Sequence, residues 1–285
     1  NLEFDLDVES TSVISTLHVV PNPEAQNQTG EFMLNGEGLT LVSVAVNGEQ
    51  LDETQYDLTP EILTLHNINT EVDLTIVNRF SPAANTKLQG IYASGKNLIS
   101  QCEAEGFRAI TYFPDRPDVL ARYHVTIRAS KEEFPILLSN GNRISERDLE
   151  DGRHETVWDD PFAKPCYLFA LVAGKFECQR ENIKLKDGRI ATLEVWVEPQ
   201  DIDKTAHTME SLKKAIRWDE ERWGLDLDLD HFAIVATNDF NFGAMENKGL
   251  NIFNARYALA NPKVATDQDY ASIEAVVGHE YFHNW

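Results

Sequence analysis

The chain has 285 residues, 42% of them hydrophobic, and a formal charge of −22 from 47 acidic and 25 basic side chains. That length suggests about two domains, and so acidic a balance lacks the basic footprint that a nucleic-acid partner would need. The three cysteines, Cys102, Cys166 and Cys178, are odd in number and too scattered for a disulfide framework or a CxxC metal site, so reduced thiols in a cytoplasmic protein are expected.

Leu2 to Val8, "LEFDLDV", already alternates like the middle of a strand, and residues ahead of Asn1 are expected in the parent chain. "LTLVSVAVNGEQL" (Leu39 to Leu51) keeps the same period of two and contains Asn47-Gly48, a strong hairpin signal. "EILTLHNI" and "EVDLTIVNRF" continue it. Further strand-like runs, "RYHVTIRA" and "CYLFALVAGKF", are separated by the turns "FPDRPD" and "LSNGN". After Gly174 the pattern changes. "IATLEVWVEP" reads as a strand, and Met209, Leu212, Ile216 and Trp223 then share one face of a helix that stops at Gly224. "HFAIVATNDF" and "GLNIFN" read as strands, and Asp267 or Asp269 is placed to cap a closing helix bearing Ile273, Val276 and Val277. The expectation is a β domain over 1–175, then the opening of an α/β or α+β domain over 176–285. Asp226, Asp228 and Asp230 do not form an EF-hand loop, because His231 and Thr237 stand where glycine and glutamate are required. No apolar run nears the roughly 18 residues of a membrane helix, so no membrane span is expected.

The chain closes on "VVGHEYFHNW", Val276 to Trp285. Residues four apart on an α-helix project within roughly 40° of each other, so His279 and His283 can reach one metal ion from one face. Two neutral imidazoles suit zinc. Glu280 lies about 100° around the helix, beside the metal without replacing a ligand, where it can take a proton from a water and return it to a leaving amine. Zinc lowers the pKa of such a water towards about 7 and polarises a carbonyl. This is the spacing of a metalloprotease.

A second stretch, "NFGAMENKGLNIF" (Asn241 to Phe253), contains Gly243-Ala244-Met245-Glu246-Asn247. With "HEYFHNW", "QCEAEGFRAITYFPDRPDVLARY" and "DPFAKPCYLFALVAG", it resembles the bacterial branch of the aminopeptidase N family of zinc aminopeptidases, strongly from about Gly90 onward and weakly before. The resemblance implies an N-terminal all-β sandwich or saddle-like domain followed by the truncated start of a thermolysin-like catalytic domain. It also implies one zinc per intact enzyme, and peptides with a free N-terminus as substrates of what is expected to be a monomer. Gly243 would let substrate backbone approach a strand edge, and Glu246 would receive the terminal ammonium. Glu103 carries over as the second carboxylate, with Gln101 beside it. Phe242 stands where the family shapes the pocket for the first side chain, and a stiffer wall with an altered preference is expected. Tyr257 is a looser candidate for the cleft, whereas Trp158, Phe162, Pro165 and Tyr167 read as packing. The family takes its third zinc ligand from a glutamate nineteen residues beyond the second histidine, and an oxyanion-stabilising tyrosine lies further on. Neither falls within these 285 residues, so this piece alone is expected to bind zinc weakly and to be inactive. The alternative is a non-catalytic module that binds peptide N-termini. The epoxide hydrolase branch, with glycine at the place of Ala244, and a neutral endopeptidase, with no need of Glu246 and Glu103 together, fit less well.

Overall fold

The computed structural model describes residues 1–22, 24 and 30–285. Eight strands come first: β1 (Leu2–Asp5), β2 (Thr11–Val19), β3 (Phe32–Asn35), β4 (Thr40–Val46), β5 (Glu49–Gln50), β6 (Tyr56–Leu58), β7 (Ile62–Leu65) and β8 (Val72–Phe80). Seven more follow: β9 (Gly90–Ser94), β10 (Asn97–Gln101), β11 (Leu120–Ser130), β12 (Ile136–Ser139), β13 (Asn142–Asp148), β14 (Arg153–Pro165) and β15 (Leu171–Gly174). They form three sheets, ordered β13-β14-β11-β1-β2-β8-β4-β5, β12-β15-β10-β9 and β3-β7-β6. The alternation seen in "EVDLTIVNRF" explains part of this arrangement. Val72, Leu74 and Ile76 of β8 turn inward, and Leu74 and Ile76 meet Leu34, Leu63 and Leu65 of the three-stranded sheet in one buried cluster. Asn47 and Gly48 both take positive φ at the β4–β5 hairpin, as a type I′ turn requires. In the "LSNGN" turn Gly141 has φ +83°, and a Cβ there would stand 2.2 Å from the Asp159 carbonyl oxygen. Only glycine fits that position.

The sheet changes between β15 and β16 (Glu177–Lys184). β17 (Ile190–Val197) pairs antiparallel with β16 and parallel with β18 (His231–Thr237), and β18 pairs parallel with β20 (Leu250–Asn254). Helix α1 (Ala206–Arg222) makes the crossover between β17 and β18, as parallel neighbours require. The two-residue β19 (Ala244–Met245) pairs antiparallel with β20 and forms one edge of this five-stranded sheet. Phe232, Ile234 and Ala236 face α1 and the closing helix α2 (Asp267–Phe282), whereas Ala233 and Val235 face the N-terminal region. Both faces are therefore covered, and β18 is an unbroken apolar run because alternation has no exposed side to serve. This is the expected fold class, an all-β region followed by the opening of a mixed domain.

Three local expectations need correction. Trp223 does not share the buried face of α1. Met209, Leu212 and Ile216 are buried there, but Trp223 caps the helix and is about half exposed. "CYLFALVAGKF" is not one strand, since Cys166–Leu168 form a turn of 3-10 helix and only Leu171–Gly174 pair. The cap of α2 is Thr266, not Asp267 or Asp269. Its side chain accepts from the Asp269 N–H while the Asp269 carboxylate accepts from the Thr266 N–H.

Candidate active site at the end of the closing helix

The buried stripe of α2, Ile273, Val277 and Tyr281, seats the helix against the sheet. Glu280 lies next to that stripe and is buried with it, 7% exposed, while His279 and His283 stay open to solvent on the adjoining face. The two histidine Nε2 atoms are 3.1 Å apart, with ring planes at 81°. Ligand atoms of His279, Glu280 and His283 all lie within 4.8 Å of one another. Two imidazoles converging from one helix face form a donor set that fits zinc.

The segment after β18 brings Glu246 to this helix. Glu246 Oε1 is 3.9 Å from His283 Nδ1, and the Glu246 side chain is only 16% exposed. Glu103, just past β10, is half-buried in the same field. Burial raises its pKa first and the Glu246 charge raises it further, while His283 opposes them. Glu280 is pushed up to about 7, by burial foremost and then by Glu246 and Glu103. Three carboxyls so placed repel one another, and a cation delivered among them relieves that repulsion.

Gln101 is 1% exposed; its Nε2 approaches the Glu103 carbonyl at 3.5 Å, and its Oε1 has no hydrogen-bond partner among the described residues. The free edge of β19 is available to pair with an extended chain. Gly243 directly precedes that strand, and its carbonyl accepts from the Asn254 N–H. A Cβ at Gly243 would meet only the Tyr257 ring, at an ordinary 3.6 Å, so the chain's own packing does not explain the glycine. Phe242 is 47% exposed and stands edge-on to the buried Phe240, centroids 6.3 Å apart. Ala244 is half-buried. The Met245 side chain belongs to the core, so only its backbone can face a ligand. Asn247 is buried, with neither amide atom partnered among the described residues, while its carbonyl accepts from Leu250 N–H and Asn251 Nδ2.

Tyr167, read as packing, does pack against the large core cluster, and its phenol pKa is raised by burial first and then by the charges of Glu246 and Glu103. One side chain was missed by sequence reasoning. Lys248, next after the five-residue motif, is tied to the end of α2. Asp228 and Asp230 of the rejected calcium loop instead pair with Lys248 and Arg189.

The family models decide the affiliation. The model of the peptidase M1 N-terminal domain matches residues 1–168, and that of the peptidase family M1 domain matches 207–285. The chain belongs to the peptidase M1 family. Among M1 relatives it is 51% identical to aminopeptidase N of Escherichia coli (strain K12) over 285 residues, and 49% identical to that of Haemophilus influenzae. In both cases the match covers 100% of this chain and 32% of the relative. It superposes with a TM-score of 0.93 and 36% identity on Legionella pneumophila aminopeptidase A in complex with aspartic acid, covering 100% of this chain and 33% of that one. The chain thus spans about a third of the length of these M1 proteins. Among the described residues no helix is long and apolar enough to cross a membrane.

Proposed function

We propose that the protein is part of a zinc aminopeptidase that removes single residues from the free N-terminus of peptides. The reading rests chiefly on the carboxylate of Glu246, set 3.9 Å from His283 and sharing its field with Glu103 beside a pair of converging imidazoles. These positions support the reading of Glu246 and Glu103 as an ammonium receptor next to a metal donor set. A peptide bond at the chain's amino end brings the positive charge that Glu246 and Glu103 are arranged to receive. An internal bond brings none and leaves desolvated carboxylates unpaired.

His279 and His283 would hold the zinc, which when bound supplies Lewis acidity for activating water and polarising a carbonyl. Glu280 takes the proton from the attacking water and returns it to the departing amine. Glu246 and Glu103 orient the substrate through its terminal nitrogen, and β19 aligns the substrate backbone along its free edge.

A cytoplasmic monomer is the associated reading, supported for compartment by the free thiols of Cys102, Cys166 and Cys178. The division into 1–175 and 176–285 is likewise proposed, on the change of sheet between β15 and β16.

The deciding experiment compares alanyl peptides with a free and an acetylated amino end on the full-length protein. Hydrolysis of the free peptide alone is expected. Equal cleavage of both would indicate an endopeptidase. Binding of the free peptide without cleavage would indicate the non-catalytic module.

A further inference from the structure

The gap of 3.9 Å between Glu246 and His283 is too wide for a hydrogen bond, so the clamp and the metal helix are not spaced by direct contact. A partly buried ion pair, whose lysine lies two residues beyond Glu246, joins them instead. The Lys248 side chain is 11% exposed, with Nζ 2.7 Å from Asp228 Oδ2 and 3.5 Å from the backbone carbonyl of Asn284. Asn284 directly follows His283, and its Nδ2 donates to the other Asp228 oxygen at 3.2 Å. The ammonium also lies 4.7 Å from the centre of the Phe162 ring and 5.7 Å from that of Trp285.

The backbone of the same residue is fixed from the N-terminal region. Asn140 Nδ2 donates to the Lys248 carbonyl at 2.9 Å and to the Leu168 carbonyl at 3.0 Å, and its Oδ1 accepts from the Ala170 N–H at 2.7 Å. Asn140 is 1% exposed. Lys248 is therefore held by main chain to one part of the molecule and by side chain to another.

We infer that Lys248 is a positioning residue, which sets the distance between the clamp carboxylate of Glu246 and the imidazoles of His279 and His283. This rests on the function proposed above. The physical reason is leverage. Glu246 lies two residues before the lysine and His283 one residue before Asn284, so slack in the Lys248–Asp228–Asn284 knot passes directly into the gap between ammonium receptor and metal. Displacement of about 1 Å in such a constellation can cost about a hundredfold in rate. Removing either charge also strands its partner in a poorly solvated place, so the knot acts as a unit.

The test uses full-length protein with Lys248→Met, Lys248→Arg, Asp228→Asn and the Met/Asn double substitution. Two readouts are taken: kcat and KM for alanyl-p-nitroanilide, and amide exchange over 243–249 and 282–285. Lys248→Met should lower kcat/KM about tenfold or more, mainly through KM, and speed exchange in both segments together. Asp228→Asn should do the same, the double substitution should be no worse than the worse single one, and Lys248→Arg should recover most of the loss. Unchanged exchange over 282–285 in Lys248→Met, or losses that simply add in the double substitution, would overturn the inference. A wild-type protein that cleaves no anilide would refute the proposed function, while the exchange data would still decide whether the tie exists.

Discussion

Glu280 shows how much chemistry one helical step can set. It is buried because it adjoins the stripe of Ile273, Val277 and Tyr281, and burial, with Glu246 and Glu103 nearby, raises it to about 7. A dication on the neighbouring imidazoles would act in the opposite sense and favour the carboxylate form that the proposed mechanism requires. Glu280→Gln keeps the shape and removes the proposed base, so kcat of the full-length protein should fall by about 10²–10⁴-fold while bound zinc is retained. Loss of zinc with the activity would assign Glu280 to the ligands instead. Phe242 poses a question of selectivity. Its edge-on contact with Phe240 restrains the ring, so Phe242→Met should change the ranking of aminoacyl substrates, and an unchanged ranking would remove it from the pocket. His279, Glu280 and His283 were legible because one helix sets their geometry. The role of Lys248 was not, because its partners Asp228 and Asn284 lie far away in sequence and only the tertiary fold brings them together.

At the scale of elements, the legible features are those whose cause is local. The alternation of β8, the Asn-Gly hairpin and the Gly224 stop with φ +70° each follow from a few neighbouring residues. The failures are equally physical. An apolar run such as "CYLFALVAGKF" carries no period, so burial on all sides hides where the strand begins. Trp223 fits the helical period, yet it falls at the point where α1 ends. Either aspartate near the start of α2 satisfies a simple capping rule, and only the reciprocal pair with Asp269 singles out Thr266. That capping box holds the end of α2 remote from the histidines. Thr266→Ala should cost about 1 kcal/mol in stability, read as a lowered denaturant midpoint with an unchanged slope. No loss of stability would mean that the sheet alone holds the helix.

Across the whole molecule, the two regions meet on the inner face of the five-stranded sheet. Trp158 of β14 packs against the His231 ring, and His231 Nε2 donates to Glu194 Oε2 at 2.7 Å. Burial would raise the Glu194 pKa, but hydrogen bonds from His231 and Trp196, with the charges of His231 and Arg180, outweigh it and lower the pKa to about 2. The sign follows from linkage. A depressed carboxyl stabilises the fold fully above its ordinary value of 4.5, and this stabilisation, on the order of 3 kcal/mol, is lost as pH falls towards about 2. The stability gap between wild type and Glu194→Gln should therefore narrow across that range in acid denaturation, and a constant gap would refute the assignment. Glu103 and Asn140 also reach the site from the N-terminal region, one into the field of Glu246 and the other onto the carbonyl of Lys248. The consequence is that the proposed chemistry is not portable. Residues 176–285 excised on their own, or grafted behind a foreign β module, would lack the Glu103 carboxyl and the Asn140 tether, so the two regions are constrained to change together.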